Sequence, residues 1–411
     1  MKSRFMLYET VQQFSQAVRD ELQNNLVPFW LKRSIDSEYS GFIGRMSNDG
    51  TIDPRASKGV ILNSRILWTF SALYRFNKDN QCRDMAGRAY DYLERYFWDN
   101  QHGGTFWQVD FKGNPIDDKK KIYGQAFYIY ALAEYCQAFN NDSALQRARQ
   151  LFDLIETNSR DKIYAGYIEV CNRNWSVAED LRLSEKDMDE KKSMNNHLHL
   201  LEAYTNLYRI WPDAKLRGRL TELIDVFEQR IVDPASGHMN HFFDETWRPK
   251  SANYTFGHDI EAGWLLCEAA EVLGEPNVTS RAQRMALRLA RVTLAEALDD
   301  DGGLCYEGRA GNVTDPNREW WPQAECVVGF LNAYELSSDR SFLEAAQKAW
   351  LFIENYFIDK INGEWFWRID PNGRPDPAEP KVSQWKGPYH NVRACLETMR
   401  RLKQVTSTEP K

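Results

Sequence analysis

The sequence predicts an all-α protein in which six helical hairpins with short extended inserts close into an (α/α)6 barrel. The main observation is a repeat: an amphipathic outer helix, a short extended piece rich in glycine and aromatic residues, and an apolar inner helix recur six times in 411 residues. Units of this kind bury their apolar faces only by stacking on their neighbours. The period of about 60 to 75 residues exceeds the roughly 34 to 47 residues of open helical solenoids, which usually lack the insert. We therefore expect residues 1–411 to form one closed toroidal domain.

The first unit shows the three parts. Residues 10–30 carry apolar side chains every three or four positions with charges between them, which predicts an outer helix that ends near Pro28. Residues 40–44 (SGFIG) predict a short extended segment, and residues 48–50 (NDG) predict a turn. Residues 61–76 (ILNSRILWTFSALYRF) are apolar almost all round, so this helix is expected inside, against other helices.

Five further units follow the same order. Outer helices with a one-sided apolar stripe are predicted at residues 82–99, 143–157, 213–232, 279–298 and 340–358. The inner helices are predicted in the segments KIYGQAFYIYALAEY, KSMNNHLHLLEAYTNLY, NYTFGHDIEAGWLLCEA, EWWPQAECVVGFLNAY and GPYHNVRACLETMRR. In a toroid the inner helices all begin at the same end of the ring. Their first turns and the loops before them are therefore expected to converge on one funnel.

Composition and charge exclude several classes of function. The net charge of −7, the pI near 5.7 and the alternation of charge signs leave no basic surface for nucleic acid. No stretch approaches the roughly 18 apolar residues of a membrane span, and the amino terminus has no signal-peptide core. Seven cysteines without a C-x-x-C pair predict reduced core residues. We expect a cytoplasmic monomer that binds a small neutral molecule, and the 14 tryptophans are typical of carbohydrate-binding clefts as well as of cores.

Polar side chains concentrate in the expected funnel. They are Asn63, Arg65, Tyr123, Asn195, His199, His258, Glu261, Trp321, Glu325, Trp385, Tyr389 and His390. Three of only seven histidines, His199, His258 and His390, are predicted to occupy equivalent places in different units. His258 and Glu261 are three residues apart and share a helix face, so Glu261 is predicted to orient His258 and raise its basicity. Arg65 inside an apolar helix is unfavourable unless it is paired or holds a polar ligand.

The other four histidines are expected to have structural positions. His102, His238 and His241 lie in the glycine and aromatic pieces and are predicted to be surface or turn residues. His197 is two residues from His199 and must point roughly the opposite way on a helix, so it is predicted to pack behind the funnel.

Three chemistries could use these side chains. A metal site suits histidine beside a carboxylate, but the sequence has no H-E-x-x-H pattern, and Arg65 in the funnel would oppose a cation. Glycoside hydrolysis, common in (α/α)6 toroids, could use Glu261 and Glu325 as acid and base, but it leaves the histidines little to do. Proton transfer at the carbon beside a sugar carbonyl needs neutral bases with pKa values near 7, which describes histidine. Arg65 would then donate to the enediolate oxygen.

A family resemblance rests on five motifs that run in order over nearly the whole chain: ILNSRILW, MNNHLHLLEAY, GHDIEAGWLL, WWPQAECVVGF and WKGPYHN. Together they resemble the N-acylglucosamine 2-epimerase superfamily, and GHDIEA and WWPQAE are most similar to its cellobiose (or mannobiose) 2-epimerase branch. The resemblance implies an (α/α)6 barrel, no metal or other cofactor, and reversible epimerisation at C2 of the reducing-end sugar of a β-1,4-linked disaccharide such as cellobiose, lactose or mannobiose. Monosaccharide or N-acylglucosamine 2-epimerisation, aldose–ketose isomerisation and glycoside hydrolysis on the same fold stay open as alternatives.

The resemblance also implies roles for individual residues. By the family's pattern His258 and His390 are the catalytic acid/base pair, His199 assists ring opening, and Arg65 holds the oxygens at C1 and C2. Glu261 completes the predicted catalytic set through His258. The implied sugar contacts are Tyr123, Asp187, Asn195, Tyr306, Trp321, Glu325 and Trp385.

Overall fold

Six inner helices line a closed ring and six outer helices surround them in the computed structural model, which describes residues 6–408. Each inner helix contacts the next and the last contacts the first, so the predicted (α/α)6 barrel is confirmed. The inner helices are α3 (Val60–Asn77), α5 (Ile122–Phe139), α7 (Met194–Ile210), α9 (Phe256–Leu273), α11 (Trp320–Ser337) and α13 (Tyr389–Thr408). The outer helices are α1 (Val11–Glu21) continued by α2 (Val27–Arg33), α4 (Asn80–Tyr92), α6 (Asp142–Asn158), α8 (Ala214–Val226), α10 (Pro276–Glu296) and α12 (Arg340–Phe352).

Four outer helices within residues 6–408 contain a widened π-turn, in which an N–H bonds to the carbonyl five residues back. These turns are Leu22–Leu26, Leu93–Phe97, Phe227–Ile231 and Ile353–Phe357. The predicted end of the first helix near Pro28 is wrong, because the helix continues through the π-turn and ends at Arg33. Val27 N donates to Leu22 O, and Pro28 then lies in the first turn of α2, where its missing N–H is tolerated.

Short strands link neighbouring units at the end of the barrel where the inner helices begin. The strand before an inner helix pairs antiparallel with the strand after the following outer helix: β1 (Lys58–Gly59) with β2 (Gln108–Val109), β4 (Lys120–Lys121) with β5 (Val170–Cys171), β6 (Lys192–Ser193) with β7 (Phe242–Phe243), β8 (Tyr254–Thr255) with β9 (Glu307–Arg309), and β11 (Arg318–Glu319) with β12 (Arg368–Ile369). Strands β3 (Pro115–Asp117) and β10 (Asn312–Asp315) pair with β2 and β9. A bridge between Met46 and Val382 joins the last unit to the first. The pairs hold the first turns of the inner helices in fixed relative positions.

The strands give the inner helices a common register. Five strands end one residue before an inner helix begins, so equal positions in those helices lie at similar depth. The sixth residues of these five helices are Arg65, Phe127, His199, Glu261 and Glu325. His258 is the third residue of α9, which puts it about one turn nearer the mouth than the level of His199. The predicted equivalence of the three histidines is therefore wrong for His199.

Buried ion pairs support the strand ends, and the sequence did not predict them. Four lysines that are at most 1% exposed bind aspartates, with N–O distances of 2.7 to 3.0 Å: Lys58 with Asp36, Lys120 with Asp99, Lys192 with Asp161, and Lys381 with Asp359. Each pair ties the segment after an outer helix to the segment before the next inner helix. Because a buried ammonium group is strongly unfavourable without its partner, these pairs specify how the segments meet.

The described helices and the cysteines bear on two of the predictions. Among the helices described between residues 6 and 408, none is both long enough and apolar enough to cross a bilayer. All seven cysteines lie in this range and none forms a disulfide; six are buried and Cys136 is partly exposed. The prediction that most cysteines are reduced core residues is confirmed.

Candidate active site

The mouth of the barrel opens into a cavity of about 1200 Å³. All six units contribute to its wall. Eleven of the twelve predicted site residues line it: Arg65, Tyr123, Asp187, Asn195, His199, His258, Glu261, Tyr306, Trp321, Trp385 and His390. The cavity is larger than most pockets for a single small ligand, which run from roughly 300 to 1,000 Å³.

Glu325, the twelfth predicted residue, lies behind His390 instead of on the cavity wall. Its Oε1 is 2.7 Å from His390 Nδ1, and its Oε2 accepts from Trp264 Nε1 at 3.0 Å. A carboxylate partner makes Nδ1 the protonated nitrogen of a neutral imidazole and leaves Nε2 free to accept a proton. Glu325 therefore contacts His390 and does not reach the cavity wall, where the predicted sugar contact would be.

Arg393 on α13, which was not predicted as a site residue, binds three buried glutamates. Its terminal nitrogens donate to Glu202, Glu261 and Glu325, and the bonds to Glu261 and Glu325 are both 2.7 Å long. Glu202 also holds His199, whose Nδ1 is 2.9 Å from Glu202 Oε2. The sequence signal that could have identified Arg393 is its charge: it lies three positions after His390 in a segment predicted to be an inner helix.

Glu261 does not hold His258, contrary to the prediction. Its Oε1 accepts from Arg393 Nη2, and its Oε2 is buried without a hydrogen-bond partner among the described residues. His258 Nδ1 instead lies 2.5 Å from Thr255 Oγ1. The prediction is wrong because helix spacing gives a shared face but no partner, and the Glu261 carboxyl instead accepts a charge-assisted hydrogen bond from Arg393.

Arg65 lies on the cavity wall among aromatic rings. Its guanidinium carbon is 4.5 Å from the centre of the Phe127 ring, and its terminal nitrogens donate to the Trp385 carbonyl at 2.6 Å and to Tyr123 Oη at 3.1 Å. The Nε atom is buried and has no partner within the described chain. The aromatic and carbonyl contacts hold the cation in place and leave donor capacity for a ligand.

Comparison with known proteins establishes the family. A sequence profile described as N-acylglucosamine 2-epimerase (GlcNAc 2-epimerase) matches residues 41–394. The chain belongs to the N-acylglucosamine 2-epimerase family. The predicted resemblance is thereby confirmed.

Several members of this family are similar over nearly their whole length. The cellobiose 2-epimerase of Bacteroides fragilis is 42% identical over 386 residues, which cover 93% of this chain and 98% of that protein. The cellobiose 2-epimerase of Dictyoglomus turgidum is 38% identical, with 93% and 97% covered. The solved structure of cellobiose 2-epimerase from Bacillus thermoamylovorans matches with a TM-score of 0.91 at 40% identity, over 95% of this chain and 100% of that one.

In this member of the N-acylglucosamine 2-epimerase family, Trp321 contacts both predicted acid/base histidines. Its ring centre is 4.6 Å from that of His258 and 5.8 Å from that of His390. Trp385 forms a second aromatic wall with Trp107 and Tyr123, at centre distances of 5.7 and 6.1 Å. Flat apolar rings beside polar side chains are suited to a ligand that has both apolar faces and hydroxyl groups, as sugars do.

Burial keeps the cavity histidines neutral. It lowers the pKa of His390 to about 3, although Glu325 acts in the opposite direction. Burial also lowers the pKa of His199, and it lowers the pKa of His258 well below its ordinary value. The predicted pKa values near 7 are therefore wrong for the folded chain, because an imidazolium loses its hydration in this cavity. At neutral pH the three imidazoles are able to accept a proton.

The pKa values of two neighbouring glutamates, Glu261 and Glu325, are shifted in opposite directions. Burial acts to raise the pKa of Glu325, but Arg393 and His390 outweigh it and lower the pKa to about 2. The pKa of Glu261 is raised well above its ordinary value by burial and by repulsion from Glu325. Glu325 is therefore ionised at neutral pH, whereas burial favours the protonated form of Glu261. A protonated Glu261 is able to donate a hydrogen bond to a ligand in the cavity.

The surface or turn position predicted for His238 is wrong, whereas His241 is partly exposed and contacts His258. His238 is only 2% exposed, with Nδ1 2.7 Å from Asp259 Oδ2 and Nε2 3.1 Å from Glu296 Oε2. Burial acts to lower its pKa, but the two carboxylates outweigh burial and raise it. His241 lies beside His258, with ring centres 5.7 Å apart, and burial lowers its pKa to about 4. Both residues come from glycine and aromatic pieces that fold against the start of α9.

We expect acid to destabilise the fold through five histidines that desolvation keeps neutral. Burial lowers the pKa of His197, His199, His241, His258 and His390. Below about pH 6.5 the unfolded chain protonates these groups and the folded chain does not, so each can remove up to about 1.4 kcal/mol of stability per pH unit. The contribution is present above pH 6.5 and lost as the pH falls. The pKa of His238 is raised, so this residue acts in the opposite sense, but it is a single group and the pKa values of five histidines are lowered.

Urea unfolding at pH 7, 6 and 5 measures this effect. The free energy of unfolding should fall at each step, and unfolding at pH 5.5 should take up protons. A free energy that stays constant or rises over this range would contradict the neutral state of the buried histidines.

Proposed function

We propose that the chain catalyses reversible epimerisation at C2 of the reducing-end glucose or mannose of β-1,4-linked disaccharides such as cellobiose, lactose and mannobiose. The observation that carries the proposal is a pair of neutral imidazoles, His258 and His390, that reach the cavity from separate helices and contact the same ring, Trp321. Inverting C2 through a planar intermediate needs a base on one face and an acid on the other. The relatives named cellobiose 2-epimerases support the choice of substrate class.

The reaction is a proton transfer in two halves. His199, held by Glu202, assists opening of the pyranose ring. One histidine then takes the C2 proton, and the electron pair of the C–H bond passes into a cis-enediolate. Rotation about C2–C3 presents the opposite face, and the other histidine delivers a proton to C2. Arg65 donates to the oxygens at C1 and C2 and stabilises their negative charge.

Ionised Glu325 stabilises the imidazolium that forms on His390 when this residue is the base, because its carboxylate lies 2.7 Å from Nδ1. The enediolate adds a negative charge in the same cavity. Both effects oppose the desolvation that disfavours the imidazolium, so the proton moves only when the substrate charge develops.

Polar atoms on the cavity wall are available to form hydrogen bonds with the sugar hydroxyls. Arg65 Nε, Asn195 Oδ1 and Glu261 Oε2 are buried, and the structure of residues 6–408 gives them no hydrogen-bond partner. A sugar supplies both donors and acceptors and would remove the penalty of leaving these atoms unpaired. We also propose contacts from Asp187 and Tyr306, which line the same cavity.

The positions of Glu261 and Glu325 argue against glycoside hydrolysis by this pair. That reaction needs an acid and a second carboxylate on opposite sides of the glycosidic bond, roughly 5 to 9.5 Å apart. Glu261 and Glu325 each bond to the same nitrogen, Nη2 of Arg393, at 2.7 Å. Two carboxylates that share one nitrogen cannot lie on opposite sides of a sugar linkage.

Product analysis tests the proposal. Cellobiose, lactose, mannobiose, N-acetylglucosamine and mannose are incubated in parallel with the enzyme, and the products are separated by chromatography. We expect the C2 epimers of the three disaccharides. Ketose as the main product would favour the isomerase alternative, turnover of N-acetylglucosamine or mannose alone would favour the other epimerases, and release of free glucose or galactose would favour a hydrolase.

The expectations of a cofactor-independent, cytoplasmic and monomeric enzyme stay predictions. The same assay after extensive EDTA treatment should give unchanged rates. Restoration of a lost activity by zinc would replace proton transfer between histidines with a metal site. Light scattering of the purified enzyme measures the oligomeric state.

Trp385→Ala should weaken disaccharide turnover far more than any residual monosaccharide turnover. Trp385 lies in the loop before α13, beside Trp107 on the cavity wall, where we propose that it stacks on the second sugar ring. Loss of one sugar–aromatic stack should reduce kcat/KM for cellobiose about 10-fold or more. The comparison is made with mannose. Equal losses for both sugars would contradict this placement.

A further inference from the structure

A threonine hydroxyl at the start of α9 faces His258 and does not cap its helix. Thr255 occupies the N-cap position with extended backbone, φ −111° and ψ 127°, yet its side chain accepts from no N–H of the helix. Ser193, at the same position before α7, does cap its helix by accepting from Asn196 N. Thr and Ser at N-cap positions normally make this stabilising bond. The Thr255 hydroxyl therefore gives up a capping bond in exchange for a contact with an imidazole.

Thr255 lies between two histidine rings. Its Oγ1 is 2.5 Å from His258 Nδ1 and 3.4 Å from His241 Nε2. His241 Nε2 also accepts from the backbone N–H of Thr255 at 3.1 Å, which identifies this nitrogen as an unprotonated acceptor. The three groups form a continuous chain from the cavity into the wall of the barrel.

His258 and His390 are supported differently. His390 Nδ1 faces the carboxylate of Glu325, whereas His258 Nδ1 faces a neutral hydroxyl. The titratable groups that act electrostatically on His258 are the imidazoles of His241, His199 and His390, and none of them carries negative charge. A protonated His258 thus needs Thr255 as the acceptor for its Nδ1–H.

We propose, on the basis of the epimerisation proposed above, that Thr255 and His241 form a hydrogen-bond relay that supports His258 as it takes and returns the C2 proton. When His258 Nε2 gains the proton from C2, its Nδ1–H donates to Thr255 Oγ1, and the threonine hydroxyl donates to His241 Nε2. When His258 returns this proton to C2, Nε2 is left free and Nδ1–H continues to donate to Thr255 Oγ1.

The relay suits a reversible reaction. A hydroxyl accepts from Nδ1–H in both the neutral and the protonated form of His258 while it donates its own proton to His241 Nε2. Unlike an ionised carboxylate it adds no negative charge, so it does not hold the proton on His258 by an ion pair. His258 must act as a base in one direction and as an acid in the other. Thr255 and His241 are therefore positioning residues, which act on the substrate only through His258.

Thr255→Val tests the relay, because valine keeps the shape of threonine and removes the hydroxyl. We expect kcat for cellobiose epimerisation to fall by about 10- to 100-fold with KM changed by less than about 2-fold, as for loss of a hydrogen bond to a group that becomes charged. The acidic limb of the kcat profile should move to lower pH, since the protonated form of His258 loses its acceptor. Thr255→Ser, which keeps the hydroxyl, should restore kcat to within about 3-fold of wild type.

Thr205→Val is the matched control. Thr205 is a buried threonine on α7 whose hydroxyl donates to the Leu201 carbonyl, and it does not line the cavity. This variant should lose stability without a change in the pH profile. If Thr255→Val does not fold, His241→Phe provides the test by removing the acceptor at the end of the relay, with an expected loss in kcat of about 3- to 30-fold.

Different results would contradict the relay and the proposed function. A wild-type enzyme that does not epimerise disaccharides contradicts the proposed function. An active wild type together with an unchanged kcat and pH profile in Thr255→Val overturns the relay and leaves the function in place. Failure of Thr255→Ser to restore the rate overturns it as well, because packing and not the hydroxyl would then account for the loss.

Discussion

His390→Asn and His258→Asn should each reduce the rate of cellobiose epimerisation by about 100- to 10,000-fold, the usual range for removal of a general acid–base group. Each histidine reaches the cavity from its own helix and has its own support, Glu325 for His390 and Thr255 for His258. Neither can replace the other, because inversion at C2 needs proton transfer on both faces. The measurement is kcat/KM for each variant in both directions.

His102→Asn is the control for these variants. His102 lies in a turn of a glycine and aromatic piece and is not part of the cavity wall, so its replacement should leave kcat/KM unchanged. The two catalytic variants should still unfold cooperatively. Wild-type rates in both would remove these histidines from the mechanism, whereas loss of folding in both would mean that their role is structural.

Arg393→Met should destabilise the folded chain by about 3 to 5 kcal/mol, the usual effect of breaking a buried ion pair from one side. Arg393 is 2% exposed, and without it the buried carboxylates of Glu202 and Glu325 lose their cation. These groups then take up protons, and a protonated Glu325 no longer stabilises an imidazolium on His390. Stability and epimerase activity should therefore fall together, as measured by urea unfolding and by kcat.

Arg400→Met on the same helix gives the comparison. Arg400 is about half exposed and binds Glu397 at 2.8 Å, and surface pairs of this kind contribute about 0 to 1 kcal/mol. A similar loss of stability in both variants would show that the three glutamates do not depend on Arg393. An Arg393→Met protein of unchanged stability would contradict the buried network directly.

The fold and the cavity-lining residues could be predicted from the sequence because both depend on local pattern. The outer helices after the first end within three residues of their predicted bounds when their terminal π-turns are included. Arg65 and the three cavity histidines are polar side chains in apolar helices, where water is excluded and such residues need a purpose. This contrast between a polar side chain and its apolar helix is visible in the sequence.

The partners of these residues could not be predicted, because they come from other helices. Helix spacing predicted that Glu261 and His258 share a face. In the structure Glu261 instead accepts a hydrogen bond from Arg393, which is 132 residues away in sequence. Arg393 itself stands in a segment with further arginines, which resembles an exposed helix face. Thr255 resembles an ordinary N-cap residue, and only the structure shows that its hydroxyl faces an imidazole.

The depth of burial was the other quantity that local pattern could not supply. The pKa of a histidine near 7 describes a solvated side chain, whereas His199 and His390 are 3% and 4% exposed and His258 is only partly exposed. His238 was predicted at the surface from its glycine-rich surroundings, yet its piece folds inward and pairs with Asp259 on α9.

A single-turnover reaction in heavy water tests most directly whether two separate histidines exchange a proton at C2. Excess enzyme converts cellobiose in D₂O, and the deuterium content at C2 of the epimer is measured by NMR. Because the proton is removed on one face and a different group, equilibrated with solvent, delivers the new one, the account predicts one deuteron at C2 of essentially every product molecule. Product that retains the original C2 protium would contradict the account, since one group would then have removed and returned the same proton.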